Sequence, residues 1–462
     1  MIRTAIAATA LLLAAPAASP ALGQSQQEAL DARYDRALAA GYKALMLCSA
    51  IVSSEATGMG ARTPESVHEW ELAGIQQPLN AIVRELPYEI VREAEEVGAR
   101  INRVEVTWAD DMPPRVARHN PGSGCAVWPI GMKPLEWASP NLQDYRSPAL
   151  AFAPPEPRVS TVRPIREAAF DGTYGQGSRT TVVLISKDAK FVDWGGAPGF
   201  GPFTPQRTWS VAKSIAATLV GAAVHRGDAD VQGSLGLGGG NLADPRHAIT
   251  IDQALRMASG RYSDTPGNRT DPLYWGGTTV DERAQNWPLI ARPGSVYRYA
   301  NNDTLAAVKA IEGTFAANAP NDVIFAMGME DTVAETDWQD NYILSSQVWT
   351  TANDLAKFGQ LYLNDGNLPS GERILPEGWV QYVSKPSGPQ PDGPFGYGAG
   401  FWLMNKSDGV PPDTFAAFGN RGQYVVIVPS RNVVIVRRGE DPVGARFDIA
   451  AFTRDVLAAL ES

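Results

Sequence analysis

The sequence is poor in the residues that hold soft metals. It has two cysteines and four histidines in 462 residues. His68, His119, His225 and His247 are scattered, and no HxH, HExxH or CxxC spacing occurs. A metal centre is therefore not expected. Basic clusters are also lacking. Lys and Arg number 40 against 50 Asp and Glu, a net charge of −10, so neither nucleic acid nor an anionic membrane surface is an expected partner. There is no internal repeat and no low-complexity tract. Beyond the N-terminus no segment reads as a membrane-spanning helix. Cys48 and Cys125 both fall in the first third of the chain. In an oxidising compartment they are expected to pair and staple the N-terminal region, the alternative being two buried free thiols.

The composition, 44% hydrophobic and 19% charged, suits a folded protein with a sizeable core. The length suits one large domain and a smaller one. Residues 1–23 read as a secretory signal: Arg3 gives a positive start, Ile6 to Ala15 a short apolar core, and Ala21-Leu22-Gly23 small residues before a cut at Gln24. The expected destination is the periplasm or the medium.

Residues 24–147 form an accessory region, with helical periodicity from Ala29 to Val52 and strand alternation through Val104, Val106 and Trp108. Residues 148–160, with Pro148, Pro154, Pro155 and Pro157, are a stiff linker. The remainder, 161–462, mixes elements. Hairpins are expected at 180–185 with 190–194 and at 424–428 with 433–437. Helices are expected after Ser210, at 251–258 before Gly260, at 352–363 and at 448–460. Strands at both ends with helices between predict an α+β domain whose antiparallel sheet joins its two termini.

The chemistry starts at Ser210-Val211-Ala212-Lys213, the only SxxK in the chain. From Val211 to Val224 nearly every residue is small or apolar, and Lys213 is the only charged one. A helix apolar all round is buried, and a buried lysine must be partnered or neutral. Positions i and i+3 share a helix face, so Ser210 and Lys213 should lie side by side. Desolvation favours the neutral amine, which can take a proton from a serine hydroxyl. Two more motifs matter in combination. Tyr299-Ala300-Asn301 offers a phenol to relay a proton and an amide to orient the lysine or a substrate carbonyl. Gly419-Asn420-Arg421-Gly422-Gln423 opens an apolar strand. There Gly422 permits close approach of backbone to substrate, and the next N–H can serve as an oxyanion donor.

Together these motifs resemble the serine β-lactamases and penicillin-recognising hydrolases. The likeness runs from about Thr161 to the C-terminus and is nearest to the class C-like esterases, D-aminopeptidases and 6-aminohexanoate-dimer hydrolases. Thr250 to Gly260, Thr351 to Phe358 and Ile374 to Val380 are similar to further landmarks of that family. The resemblance implies a β-lactamase/transpeptidase-like fold, an antiparallel sheet flanked by helices with a helical and loop subdomain. It implies roles as well. Ser210 would be acylated, Lys213 and Tyr299 would share general base and acid duties, and Asn301 would position. The N–H groups of Ser210 and Gln423 would form the oxyanion hole. Such chemistry calls for no cofactor. The family's third motif is usually Lys-Thr-Gly, whose lysine helps bind a drug carboxylate. Here Asn420 is uncharged and Arg421 is free to point the other way along the strand. Tyr262 and Trp275 are candidates either to pack against substrate or to plug the domain's own core.

The expected function is hydrolysis of an ester, a linear amide or a peptide through an acyl-enzyme on Ser210. The alternatives are a D,D-peptidase or β-lactamase, and a non-catalytic binding protein on the same fold.

Overall fold

The computed structural model describes residues 20–58, 62–93, 100–133, 161–239, 241–263 and 270–461. Most of the expected signal segment and all of the proline-rich linker lie outside them.

The larger sheet has seven antiparallel strands: β5 (Thr180–Lys187), β6 (Lys190–Gly196), β10 (Gly396–Tyr397), β11 (Trp402–Leu403), β12 (Phe415–Gly419), β13 (Gln423–Val428) and β14 (Val433–Gly439). Their order is β10-β11-β12-β13-β14-β5-β6. β14 pairs with β5 from Val433↔Lys187 to Gly439↔Thr180, so the sheet unites the two ends of the region as expected. Its central strands read as continuous apolar runs because both faces are covered. Val182, Leu184, Val425, Ile427, Val434 and Val436 share one core with α2 (Ala212–Arg226) and α4 (Ala352–Leu363). Val183, Ile185, Val426, Val428, Val433 and Ile435 share another with α5 (Ile449–Ala459). The hairpin turns fall where the sequence puts them. Asp188 and Ala189 take φ of 51° and 57° in the first, and Asn432 takes 51° in the second.

α2 is buried from Ala212 to Ala223, which explains its largely apolar composition, and Gly227 ends it at φ 81°. A single 3₁₀ turn, Trp209–Val211, precedes it. The helix expected over 251–258 stops at Leu255, because Met257 and Gly260 adopt φ of 58° and 76° and turn the chain away. α3 (Asn301–Ala310) follows the Tyr299 motif. A third, small sheet joins β7 (Gln206–Arg207), β9 (Val348–Thr350) and β8 (Val333–Ala334).

The N-terminal region is α+β. Helix α1 (Pro20–Thr57) packs on a four-stranded antiparallel sheet, β1 (Tyr88–Arg92), β2 (Ile101–Val106), β3 (Arg115–Asn120) and β4 (Gly124–Val127). A disulfide joins Cys48 of α1 to Cys125 of β4. α1 corrects one sequence expectation, since residues 25–57 do have the length and apolarity of a spanning helix. That apolar stretch is buried inside the protein, however, which makes α1 a core helix. Its core also contains Trp209, Trp275, Leu305 and Trp349, so the two regions share apolar packing.

Candidate active site

Lys213 is the second residue of α2 and is 1% exposed. Its side-chain nitrogen lies within hydrogen-bond reach of Ser210 Oγ at 2.9 Å, Asn301 Oδ1 at 2.6 Å and the Ser345 carbonyl at 2.9 Å. The Asn301 and Ser345 oxygens can take the two N–H groups of a neutral amine, which makes its burial tolerable and leaves its lone pair for the Ser210 hydroxyl. Ser210 and Lys213 meet as their spacing predicted, although Ser210 sits in the 3₁₀ turn ahead of the α-helix. The Tyr299 ring centre lies 5.0 Å from Lys213 Nζ. The fold therefore brings together Ser210, Lys213, Tyr299 and Asn301 from two separate stretches.

Each member is braced. Asn301 opens α3, and its amide donates to Thr270 Oγ1 at 2.9 Å, which leaves Oδ1 for the lysine. The first turn of α3 is bolted down through Asp303, which accepts from Ser259 Oγ at 2.7 Å and Arg261 Nη2 at 2.9 Å. Ser345 is held by Tyr274, the two hydroxyls being 2.7 Å apart. Tyr299 stands among aromatic rings: Trp402 at 5.4 Å and Tyr397 at 6.0 Å. Tyr397 is wholly buried, and desolvation together with neighbouring Tyr299 raises its hydroxyl well above the ordinary tyrosine value. Tyr297 is raised for the same two reasons. Trp402 also stacks on Phe418 of β12 at 5.7 Å. This half-buried aromatic wall has no sequence signature beyond its composition.

The two glycines of the turn after β12 are each required, and Gly419 is the one packed against the Ser210 turn. A Cβ at Gly419 would lie 2.3 Å from the Thr208 carbonyl and 3.2 Å from the Ser210 amide nitrogen. Gly422 is required for another reason. It has φ 78°, and a Cβ there would collide with Arg437 Nη1 and Asp441 Oδ2 at 1.7 and 2.2 Å. Gln423 pairs with Gly419 across the hairpin, and its side chain is buried. The side-chain oxygen accepts from Arg438 Nε at 2.6 Å, and the amide nitrogen donates to the Gly439 carbonyl. Asn420 is exposed. Arg421 turns away from the serine. It is 5% exposed, ion-pairs with Glu440, and donates to the Trp70 and Ala73 carbonyls at 2.9 and 2.8 Å.

The two aromatic candidates separate. Tyr262 is 44% exposed, with the Arg298 guanidinium 5.3 Å from its ring centre. Trp275 does not face a cleft. It is 2% exposed and packs edge-on against Tyr42 of α1 at 5.1 Å. Of the sequence's two open readings for Trp275, the core one describes its place, because α1 covers it.

A family model for Beta-lactamase matches residues 165–459. Among solved structures, one described as a candidate 6-aminohexanoate-dimer hydrolase from Bacillus anthracis is 20% identical with a TM-score of 0.52, over 61% of this chain and 79% of that one. Another, described as a candidate β-lactamase from Bacteroides dorei DSM 17855, is 17% identical with a TM-score of 0.52, over 64% of this chain and 98% of that one. At these identities the likeness shows the fold alone. No curated protein matches the chain.

Proposed function

The chain belongs to the β-lactamase family, and from that premise we propose that it is a serine hydrolase working through an acyl-enzyme on Ser210, with an ester or linear amide as substrate. The observation that carries this reading is the 2.9 Å contact between Ser210 Oγ and the amine of a lysine that is 1% exposed. A nucleophile and its base within hydrogen-bond reach, the base oriented by further groups, is the arrangement covalent catalysis needs.

Ser210 Oγ attacks the substrate carbonyl carbon while its proton passes to Lys213, with Tyr299 as the second member of the relay. The proton then goes to the departing alkoxide or amine as the carbonyl–heteroatom bond breaks. Water, deprotonated by the same pair, attacks the acyl-enzyme, releases the acid and restores Ser210. The negative oxygen of each tetrahedral intermediate faces the Ser210 amide and an amide of the Gly419–Gln423 turn, expected at Gln423. Fixed donors of this kind act where charge develops.

Two features favour a neutral ester or amide over a β-lactam. Asn420 is uncharged, and the only cation of the third motif, Arg421, is committed to Glu440 and to the carbonyls of residues 70 and 73. The aromatic wall of Tyr299, Trp402 and Phe418 suits an apolar group on the substrate. A disulfide and an apolar N-terminal segment agree with an extracytoplasmic site of action. The test is intact-protein mass spectrometry after exposure to a fluorophosphonate and, separately, to a penicillin. Labelling by fluorophosphonate alone, lost in Ser210→Ala, is the expected result. A penicillin adduct would move the assignment to D,D-peptidase or β-lactamase chemistry, and no adduct with either probe would overturn it.

A further inference from the structure

We propose that the N-terminal region is a positioning part of the acylation site, because it seats two strained residues, Trp209 and Arg421, beside the backbone that Ser210 and its oxyanion use. The inference rests on the reading of Ser210 as nucleophile.

Trp209 immediately precedes Ser210 and has φ 50°; Arg421 lies two residues beyond Gly419 and has φ 57°. Neither is glycine, and positive φ is costly for bulky side chains. Such residues persist only where their surroundings over-determine them. Here both side chains reach the N-terminal region, Trp209 through the core around α1 and Arg421 through two backbone carbonyls besides its pairing with Glu440. Trp209 is 7% exposed and belongs to the α1 core. Its ring meets Trp275 edge-on at 6.4 Å, and the Arg207 guanidinium covers it at 3.9 Å.

Trp275 is itself fixed from the N-terminal side. Tyr42 packs on its ring at 5.1 Å, and Arg115 Nη2 donates to its carbonyl at 3.0 Å. The same guanidinium holds the Ala37 carbonyl of α1 at 3.1 Å. α1 approaches so closely that a Cβ at Gly41 would sit 2.0 Å from the Trp275 carbonyl oxygen. Arg421 is received at the other wall by the carbonyls of residues 70 and 73. Gly419 and the Ser210 turn touch each other between these two anchors. Moving either anchor therefore moves the two backbone segments that meet the reacting carbonyl. A misplacement of about 1 Å at such a site costs on the order of a hundredfold in rate.

The test measures the second-order rate constant for fluorophosphonate labelling of Ser210 per folded molecule, together with melting temperature, in wild type, Trp209→Phe, Trp209→Ala and Gly41→Ala. Trp209→Ala is expected to label about a hundredfold more slowly, and Trp209→Phe at close to the wild-type rate, since the phenyl ring still fills the seat. Gly41→Ala, wholly within α1, is expected to slow labelling by about tenfold, and with an ester substrate to lower kcat while leaving KM unchanged. A merely structural contribution would lower the melting temperature and leave the rate per folded molecule intact. Folded Trp209→Ala or Gly41→Ala labelling at the wild-type rate overturns the inference alone. If Trp209→Ala does not fold, Gly41→Ala decides. An unlabelled wild type overturns the nucleophile reading and this inference together.

Discussion

The seven-stranded sheet is covered on both faces, and its central strands are runs of Val, Ile and Leu with no cross-link near them. The four-stranded sheet is covered by α1 and carries charge on its strands, as in the Arg103–Glu105 pair at 2.6 Å. It draws on a disulfide and on aromatic residues of its neighbour, Trp209, Trp275 and Trp349. A small sheet with one buried face has too little core of its own and completes it elsewhere. The difference assigns the labour. On the proposed reading, the region of the large sheet carries the candidate site and the small sheet's region braces the turn that holds Ser210.

The sharpest break in that division is Ser210→Ala, which should abolish acylation and leave thermal unfolding nearly unchanged. Lys213→Ala should slow acylation by about a thousandfold or more, read as the fluorophosphonate labelling rate. It should also cost some stability, because Asn301 Oδ1 and the Ser345 carbonyl lose their donor.

The two glycines of the β12 turn sharpen the contrast next. Gly419→Ala should slow acylation by about a hundredfold, because the new methyl pushes on Thr208 and Ser210. Gly422→Ala should instead lower the melting temperature, because it strikes the buried Arg437–Asp441 pair. Equal behaviour of the two variants would refute the assignment of their roles. On the N-terminal side, replacing Cys48 and Cys125 by serine opens a loop of 77 residues. It should lower unfolding free energy by about 4 kcal/mol in denaturant titrations, with Ser210 still reactive while the protein is folded.

The smallest expected effect lies at the seam. Glu335 is fully buried beside the disulfide, accepting from Ser49 Oγ at 2.6 Å, the Cys125 amide at 2.9 Å and Trp349 Nε1 at 3.2 Å. Burial raises its carboxyl from 4.5 to about 7. The folded state then holds a proton that the unfolded chain releases from about pH 4.5 upward. Its contribution is full below that value and is lost as pH rises towards 7, a span of about 3 kcal/mol. Glu335→Gln should flatten the fall in stability between pH 5 and pH 8 relative to wild type, and an unchanged slope would contradict the shift.

Much of this was legible in the chain because it is local. Two buried hairpins, the amphipathic α4 and the SxxK helix follow from periodicity and turn residues, and the pairing of Ser210 with Lys213 follows from helical spacing. Other features escaped because they depend on partners far away in sequence. Ser345, whose carbonyl accepts from Lys213, sits 132 residues on, with nothing around it to mark it. That Gly419 packs against the Ser210 turn could not be read from the chain, since its partners Thr208 and Ser210 lie far earlier in the sequence. Trp275 looked as fit for a cleft as for a core until α1 was in place over it.

The sequence by itself determined the Ser210–Lys213 pairing, the main sheet's strands and the covalent staple, because each is set by spacing, by pattern along one element or by the scarcity of alternatives. Only the tertiary structure decided which way Arg421 points, that α1 is an interior helix, and that Trp209 is held at positive φ by another region. Those outcomes turn on which surfaces meet. The free energy of burying a given side chain is fixed by what covers it, and no local pattern records that.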